Sequence, residues 1–324
     1  MKKLLSLVVL GAVLLAACGS GSNAVAATVD GREITVSDVE ALIETDGEAV
    51  SKELFAQFLG LQIQWDVIFA AAESDFGVTA TDEEIAAEAD SLIEDALAAA
   101  LAQNGVSETR EEFLARNGVT EAFLTNIAHQ SVLDNGISAQ LEEDVPEPTA
   151  EEIDAERAIA AASLTNACVS HILVATEDEA QDVLARLDAG EDFADLAMEL
   201  STDTGSGANG GDLSCSSPST YVDPFRDAVM VAPVGEVYPD PVESQYGFHV
   251  ILVTERDDPD EADLPTDEEL ISSLVDEGVL AALNDWFLGA LEESEVIVGE
   301  EYGTWSANPP GVTAPVETTT TTTG

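Results

Sequence analysis

The spacing of apolar positions changes period several times along this chain. Residues 25 to 36 alternate around Asp30-Gly31, a dipeptide suited to a two-residue turn, and predict a short β-hairpin. From Glu53 the period becomes helical: Leu54, Phe58, Leu61, Trp65, Ile68 and Ala72 recur at alternating four and three spacing. Thr81-Asp-Glu-Glu84 is a capping box, and Ile85, Ala89, Leu92 and Ala96 form the stripe of the helix it opens. A further helical stretch runs from Glu108 to Ala115, resumes at Thr120 after Asn117-Gly118 and continues to about Leu133. Val145-Pro-Glu-Pro148 breaks the pattern, and Thr149-Ala-Glu-Glu152 opens another helix. Residues 25–160 thus read as a mostly helical N-terminal region.

From Cys168 to Arg256 strands and helices mix. The pattern predicts a strand at 169–174, then a helix carrying Ala180, Val183, Leu184 and Leu187 that Gly190 ends. A short helix follows at 192–200, then a Gly-rich loop from Ser201 to Gly211 and a short strand at Asp212-Leu213. A helical piece at Pro224–Val231 and strands near Val237 and at 247–254 close the region. This is a compact α+β domain over 165–257. After the acidic linker Asp257–Glu261, Thr266-Asp-Glu-Glu269 caps a long helix with Leu270, Leu274, Leu280, Leu283, Trp286 and Leu291. Val296-Ile-Val298 has strand composition. A lone amphipathic helix cannot bury its own stripe, so residues 262–306 are expected to fold back on the N-terminal helices, leaving the α+β domain inserted between them. The Pro/Thr-rich residues 307–324 have few apolar side chains and are expected to be disordered.

The N-terminus changes the compartment. Lys2 and Lys3 precede an apolar run, Leu4–Ala16, that is short for a membrane span. It ends in Leu15-Ala-Ala-Cys18, which resembles a bacterial lipobox. That resemblance implies removal of residues 1–17, lipidation of Cys18 and anchorage to the outer face of the cell membrane. Residues 19–24 then form a flexible tether. The alternative is an ordinary secretory signal with Cys18 incidental. Two further cysteines remain, Cys168 and Cys215, and an even pair outside the cytosol suggests one disulfide. The rivals are free buried thiols or a metal site with His171 and His249. Strand parity opposes the metal, since Cys168 and His171 are three apart and face opposite ways.

Charge sets the partners. The 324-residue chain has 65 acidic residues against 10 basic, a net −55. Nucleic acid and anionic membrane surfaces would repel it, so contact with the membrane falls to the lipid anchor alone. The acids are spread along the whole chain, which reads as a solubilising surface for a salty medium; attraction to basic clients is the rival reading.

Two of the three histidines open near-identical apolar strands, Val169-Ser-His-Ile-Leu-Val and Gly247-Phe-His-Val-Ile-Leu-Val. Around them, Ser170-His-Ile-Leu173, Phe193-Ala-Asp-Leu-Ala197, Ser201-Thr-Asp203, Gly210-Gly-Asp-Leu213, Pro224-Phe225 and Gly247-Phe-His249 resemble, in order and spacing, a parvulin-type (rotamase) peptidyl-prolyl cis-trans isomerase domain. The flanks, including Val29-Asp-Gly-Arg-Glu-Ile-Thr35, resemble extracytoplasmic foldases of the SurA/PrsA group. The resemblance implies a four-stranded antiparallel sheet with surrounding helices, set into a helical chaperone-like domain. It implies an isomerase that needs no cofactor or metal and acts on unfolded or partly folded exported polypeptides with X–Pro bonds.

In that pattern His171 and His249 share a hydrogen bond under the substrate pocket, and Asp203 faces the rotating carbonyl. Leu213, Tyr221 and Phe225 line the pocket. Each has a plainer reading: satisfied core histidines, a loop Asp binding backbone amides, ordinary core packing. The chain departs from the family after Gly-Asp-Leu213, where Ser214-Cys215-Ser216 replaces a Gly and a nearby aromatic. A Cys168–Cys215 disulfide would tie the two strands in place of that packing. The loop 203–210 lacks basic residues, so phosphorylated substrates are not favoured. Two other classes compete: a non-catalytic holdase with a degenerate isomerase domain, and a solute-binding lipoprotein, which would need larger α/β lobes.

Overall fold

The computed structural model describes residues 24–45, 49–105 and 107–315. Cys18, the leader before it and residues 19–23 lie outside the described residues, as does the tail from residue 316. The chain divides into two compact units, one of residues 1–145 with 278–324 and one of residues 146–277.

The first unit opens with β1 (Val25–Val29) and β2 (Arg32–Thr35), joined by Asp30 and Gly31 at φ 49° and 80°. Both angles suit the turn that matches strand twist. Thr35 caps the short α1 (Val36–Glu40) in a reciprocal box with Asp38. Then come α2 (Lys52–Ala71), α3 (Asp82–Asn104), α4 (Arg110–Asn117) and α5 (Glu121–Leu141). Capping boxes with Glu84 and Glu112 start α3 and α4.

The second unit begins with α6 (Ala150–Leu164) and continues through β3 (Asn166–Val174), α7 (Glu177–Asp188), α8 (Phe193–Leu200), β4 (Asp212–Ser216), α9 (Asp223–Val231), β5 (Val242–Ser244) and β6 (Gly247–Asp257). The long α10 (Asp267–Glu293) starts in this unit and finishes in the first. There β7 (Val296–Val298), β8 (Thr304–Ala307) and β9 (Pro310–Thr313) end the described chain.

In the first unit, β7 pairs antiparallel with β1, giving a sheet of order β2-β1-β7. Leu291 from the end of α10 is 1% exposed in the core with Ala26, Val29, Leu59 and Ile63. Trp286 packs edge-on to Phe76 and donates its indole N–H to Asp75 Oδ2 at 3.0 Å.

Several details differ from the sequence expectations. The buried face of α2 is wider than the Leu54–Ala72 stripe: Leu54 is exposed, while Phe55, Leu59, Ile63 and Val67 are buried. The reason is that α2 is packed on several sides, with β1, β9, α1 and α5 all against it. On α10 Leu280 is 65% exposed and Val279 takes the buried position. The helix α6, placed with the N-terminal region from sequence, groups with the second unit, where Ser217 Oγ donates to the Ala162 carbonyl and Arg157 pairs with Asp267.

Residues 307–315 are not a disordered tail. β8 and β9 form a hairpin whose Trp305 and Val312 pack on the core, and Gly60 on α2 lets it approach. A Cβ at Gly60 would meet Val312 N at 3.0 Å, so backbone contact replaces the side-chain burial that composition lacks.

The second unit is a four-stranded antiparallel sheet of order β4-β3-β6-β5. Its alternation is two-sided. Ile172, Val174 and Val250 face α7 and α8. Ala167, Val169, Ile251 and Val253 face α9, with Phe225, Ala228 and Val229. The strand expected near Val237 is only a bridge to Leu252; the fourth strand forms at 242–244. Pro233 and Gly235 interrupt the earlier segment, while Val242-Glu-Ser244 folds back on β6 through a tight turn.

Candidate active site

Register brings the histidines together. In the β3–β6 ladder His171 faces Ile251 and His249 faces Leu173, so the two rings are diagonal neighbours on one sheet surface. They lie on the α9 side, 6% and 4% exposed, with Nδ1 to Nδ1 3.0 Å apart. Phe225, in the first turn of α9, stands edge-on to both, its centroid 5.6 Å from His171 and 5.0 Å from His249. Tyr221 lies 4.8 Å from Phe225, and Leu213 packs on the same cluster.

The loop after α8 brings Asp203 in. It extends the outer edge of β3 where β4 stops: Thr202 N donates to the Leu173 carbonyl at 2.7 Å, and His171 N donates to the Gly211 carbonyl at 2.9 Å. Gly211 sits at φ +81°, and a Cβ there would stand 2.2 Å from the His171 carbonyl oxygen. Gly247, at φ +130°, would collide with the Val174 carbonyl at 2.4 Å. Both motif glycines are therefore steric requirements for the approach of backbone to the histidine strands.

A proton order with neutral rings satisfies the whole cluster. Asp203 Oδ2 accepts from Ser206 Oγ, and Asp203 Oδ1 accepts from Gly205 N. With the hydrogen bond from His171, these hold the Asp203 carboxyl well below the usual carboxylate range, Ser206 contributing most. As an anion it makes His171 Nε2, 2.9 Å away, a donor. With both rings neutral, His171 accepts at Nδ1, His249 Nδ1 donates, and His249 Nε2 accepts from Ser244 Oγ at 2.7 Å. Ser244 Oγ in turn accepts from Tyr246 N at 3.1 Å. Burial holds the His249 pKa down at about 4, with His171 acting in the same direction and Asp203 opposing. Burial thus keeps the His249 ring neutral, and in this order the hydrogen bonds all point one way, from β5 to the Asp203 carboxylate.

Sequence reasoning missed Ser206 and Ser244. Ser206 is 6% exposed inside a Gly-rich loop. A buried serine there has no periodic signal. Ser244 was hidden because its strand was placed too early; it is recognisable only once β5 is paired with β6.

The other predicted pair also meets. Cys168 and Cys215 face each other across β3 and β4 and form a disulfide. Cys215 is thereby not available as a nucleophile. No group of three or more His, Cys, Asp or Glu side chains suited to a metal occurs among the described residues.

A sandwiched four-stranded antiparallel sheet, with a histidine pair bonded beneath a phenylalanine, defines the class of a parvulin-type prolyl isomerase domain. The profile of the PPIC-type PPIase domain matches residues 157–257. A foldase protein PrsA of Halalkalibacterium halodurans is 34% identical over 298 residues, 86% of this chain and 84% of the relative. A foldase protein PrsA of Geobacillus kaustophilus is 50% identical over 88 residues, 27% of this chain and 31% of that one. A crystal structure of PrsA from Bacillus cereus covers 87% of this chain and 96% of its own, at 22% identity and a TM-score of 0.39. The chain belongs to the PrsA family of foldase proteins.

Proposed function

We propose that this foldase is an extracytoplasmic peptidyl-prolyl isomerase and chaperone, in which His171, Asp203 and His249 frame the reacting amide and Leu213, Tyr221 and Phe225 hold the proline ring. The observation that carries the site is the buried Nδ1–Nδ1 bond of His171 and His249 directly beneath Phe225. Clients are exported polypeptides still exposing X–Pro bonds. The lipobox-like Leu15–Cys18 supports export and a lipid anchor at Cys18, and a disulfide suits an oxidising compartment.

The barrier to X–Pro rotation, about 18–20 kcal/mol, is amide resonance. Catalysis needs no nucleophile and no net proton transfer. It needs a cavity that grips the ring, excludes water and suits the twisted amide better than the planar one. Neutral imidazoles fixed in position by hydrogen bonds at both nitrogens provide a rigid, uncharged floor. Asp203 fixes the proton order from behind His171.

A protease-coupled assay on Ala-Xaa-Pro-Phe anilides tests this. The purified chain is expected to accelerate cis-to-trans conversion, with loss of at least tenfold in kcat/KM in Phe225→Ala and His249→Ala. No acceleration by the folded, unmutated chain would refute the site.

A further inference from the structure

We propose that the Cys168–Cys215 disulfide is a positioning device for the prolyl pocket, so that substrate affinity depends on the redox state of this pair. The inference rests on the pocket assignment above.

The wall that carries Leu213 is thinly held. β4 is the edge strand of its sheet, and only Leu213 and Ser216 of its five residues are partly buried. It meets β3 at three register positions, and the ladder breaks between Cys168 and Ser170. At that break Ser214 adopts φ +63°, a left-handed conformation unfavourable for a residue with a side chain. This is the position where the family resemblance calls for Gly.

The same segment supplies the pocket. Leu213 and Tyr221 pack on the Phe225 cluster, and the Tyr221 hydroxyl lies 3.2 Å from Ser216 Oγ, one residue beyond Cys215. One covalent bond, between directly opposed residues, fastens this wall to the strand that carries His171 three residues later. The histidine pair has no such need. β3 and β6 pair from Asn166–Asp257 through to Val174–Phe248. Cys215 is exposed, so a dithiol can reach the bond. Reduction converts the disulfide to two thiols while the attacking dithiol closes to its own disulfide, which balances the two electrons and two protons.

Opening the bond therefore loosens the ring-gripping wall and leaves the floor in place. KM should rise while kcat holds. A merely structural role would instead lower the active fraction, reducing the apparent kcat at unchanged KM.

The test uses the native full chain in a protease-free isomerisation assay, oxidised and after dithiothreitol, with circular dichroism to follow folding. The Cys168→Ser/Cys215→Ser variant is run beside it. Both reduced forms are expected to show KM raised about fivefold or more and kcat within twofold. Adding Ser214→Gly, which is at ease at φ +63°, should recover part of the lost affinity in the reduced protein. An active oxidised chain whose KM ignores reduction overturns this inference alone. An oxidised chain without activity overturns the pocket assignment and this inference with it.

Discussion

Acidification probes the hydrogen-bond chain at its middle link. His249 is 4% exposed, and both its nitrogens are engaged. Burial keeps its pKa at about 4 in the folded protein, against about 6.5 for an imidazole in the unfolded chain. Between those values the unfolded chain binds a proton that the folded chain does not. Stability from this group is therefore complete above pH 6.5 and is lost as the pH falls toward 4. A gap of about 2.5 units at 1.36 kcal/mol each is about 3 kcal/mol, and solvent screening brings it to about 2 kcal/mol. Protonation also breaks the proton order. Nε2 would become a donor, and the Ser244 hydroxyl would have to turn toward the Gly247 carbonyl, 3.5 Å away. Asp203 does not contribute in this window. Its carboxyl is held below the usual range, so its stabilisation is present above about pH 3.9 and is lost only below that. The chain has three histidines, so an imidazole ¹H–¹⁵N correlation can follow each ring. The His249 ring should remain neutral at pH 5. The stability advantage of the wild type over His249→Gln, from urea unfolding, should shrink by about 2 kcal/mol between pH 7 and 4.5. A His249 pKa near 6.5, or an advantage that does not change with pH, would refute the reasoning.

Phe225→Ala removes a ring that is 3% exposed and touches both histidines. It should cost about 3–5 kcal/mol in urea unfolding, Phe225→Leu less. Asp203→Ala removes the acceptor of His171 and the one influence that raises the His249 pKa, so an NMR titration should find that pKa lower still. Gly211→Ala forces a Cβ against the His171 carbonyl and should destabilise the second unit by more than about 2 kcal/mol, read as a fall in its melting temperature. Gly60→Ala presses on the backbone of β9; limited proteolysis should cut the β8–β9 hairpin faster, while kcat/KM for tetrapeptides stays unchanged.

Elements with strong local signals were legible in the sequence, and those settled by distant contacts were not. Asp30-Gly31, the Thr81 and Thr266 capping boxes and the two apolar histidine strands carry their conformation in a few adjacent residues. The same Thr-x-x-Glu logic also starts α4 at Thr109 and α7 at Thr176. The β8–β9 hairpin has no such signal, because its order comes from Gly60, some 250 residues earlier. The face of α2 was misread because a helix packed on several sides has no single stripe. At the candidate site, residue types and motif order singled out His171, Asp203, Phe225 and His249, which the fold brings into one cluster. They could not supply the diagonal register that joins the rings or the serines that close the network, since both follow from strand pairing.

The geometry also reconciles an extremely acidic protein with a candidate site lined largely by apolar and aromatic side chains. A planar amide places partial negative charge on oxygen and partial positive charge on nitrogen; twisting the bond reduces both. A surrounding of low polarity therefore favours the twisted amide relative to the planar one, and a cation beside the carbonyl oxygen would do the reverse. The proposed pocket side chains Phe225, Tyr221 and Leu213, with the neutral His249 ring beside them, fit that requirement. The one anion, Asp203, accepts from Ser206, Gly205 and His171, so its charge is spent on fixing the histidines. The arginines stay out of the cluster as well. Arg186 is held by Glu191 and Glu199, Arg226 by Asp223 and Asp227, and Arg256 by Asp258 and the last carbonyls of α9. Arg256 thereby fixes the end of the helix whose first turn presents Phe225. In this unit, then, the scarce cations brace structure, and the side chains proposed to hold the proline ring, Leu213, Tyr221 and Phe225, carry no charge.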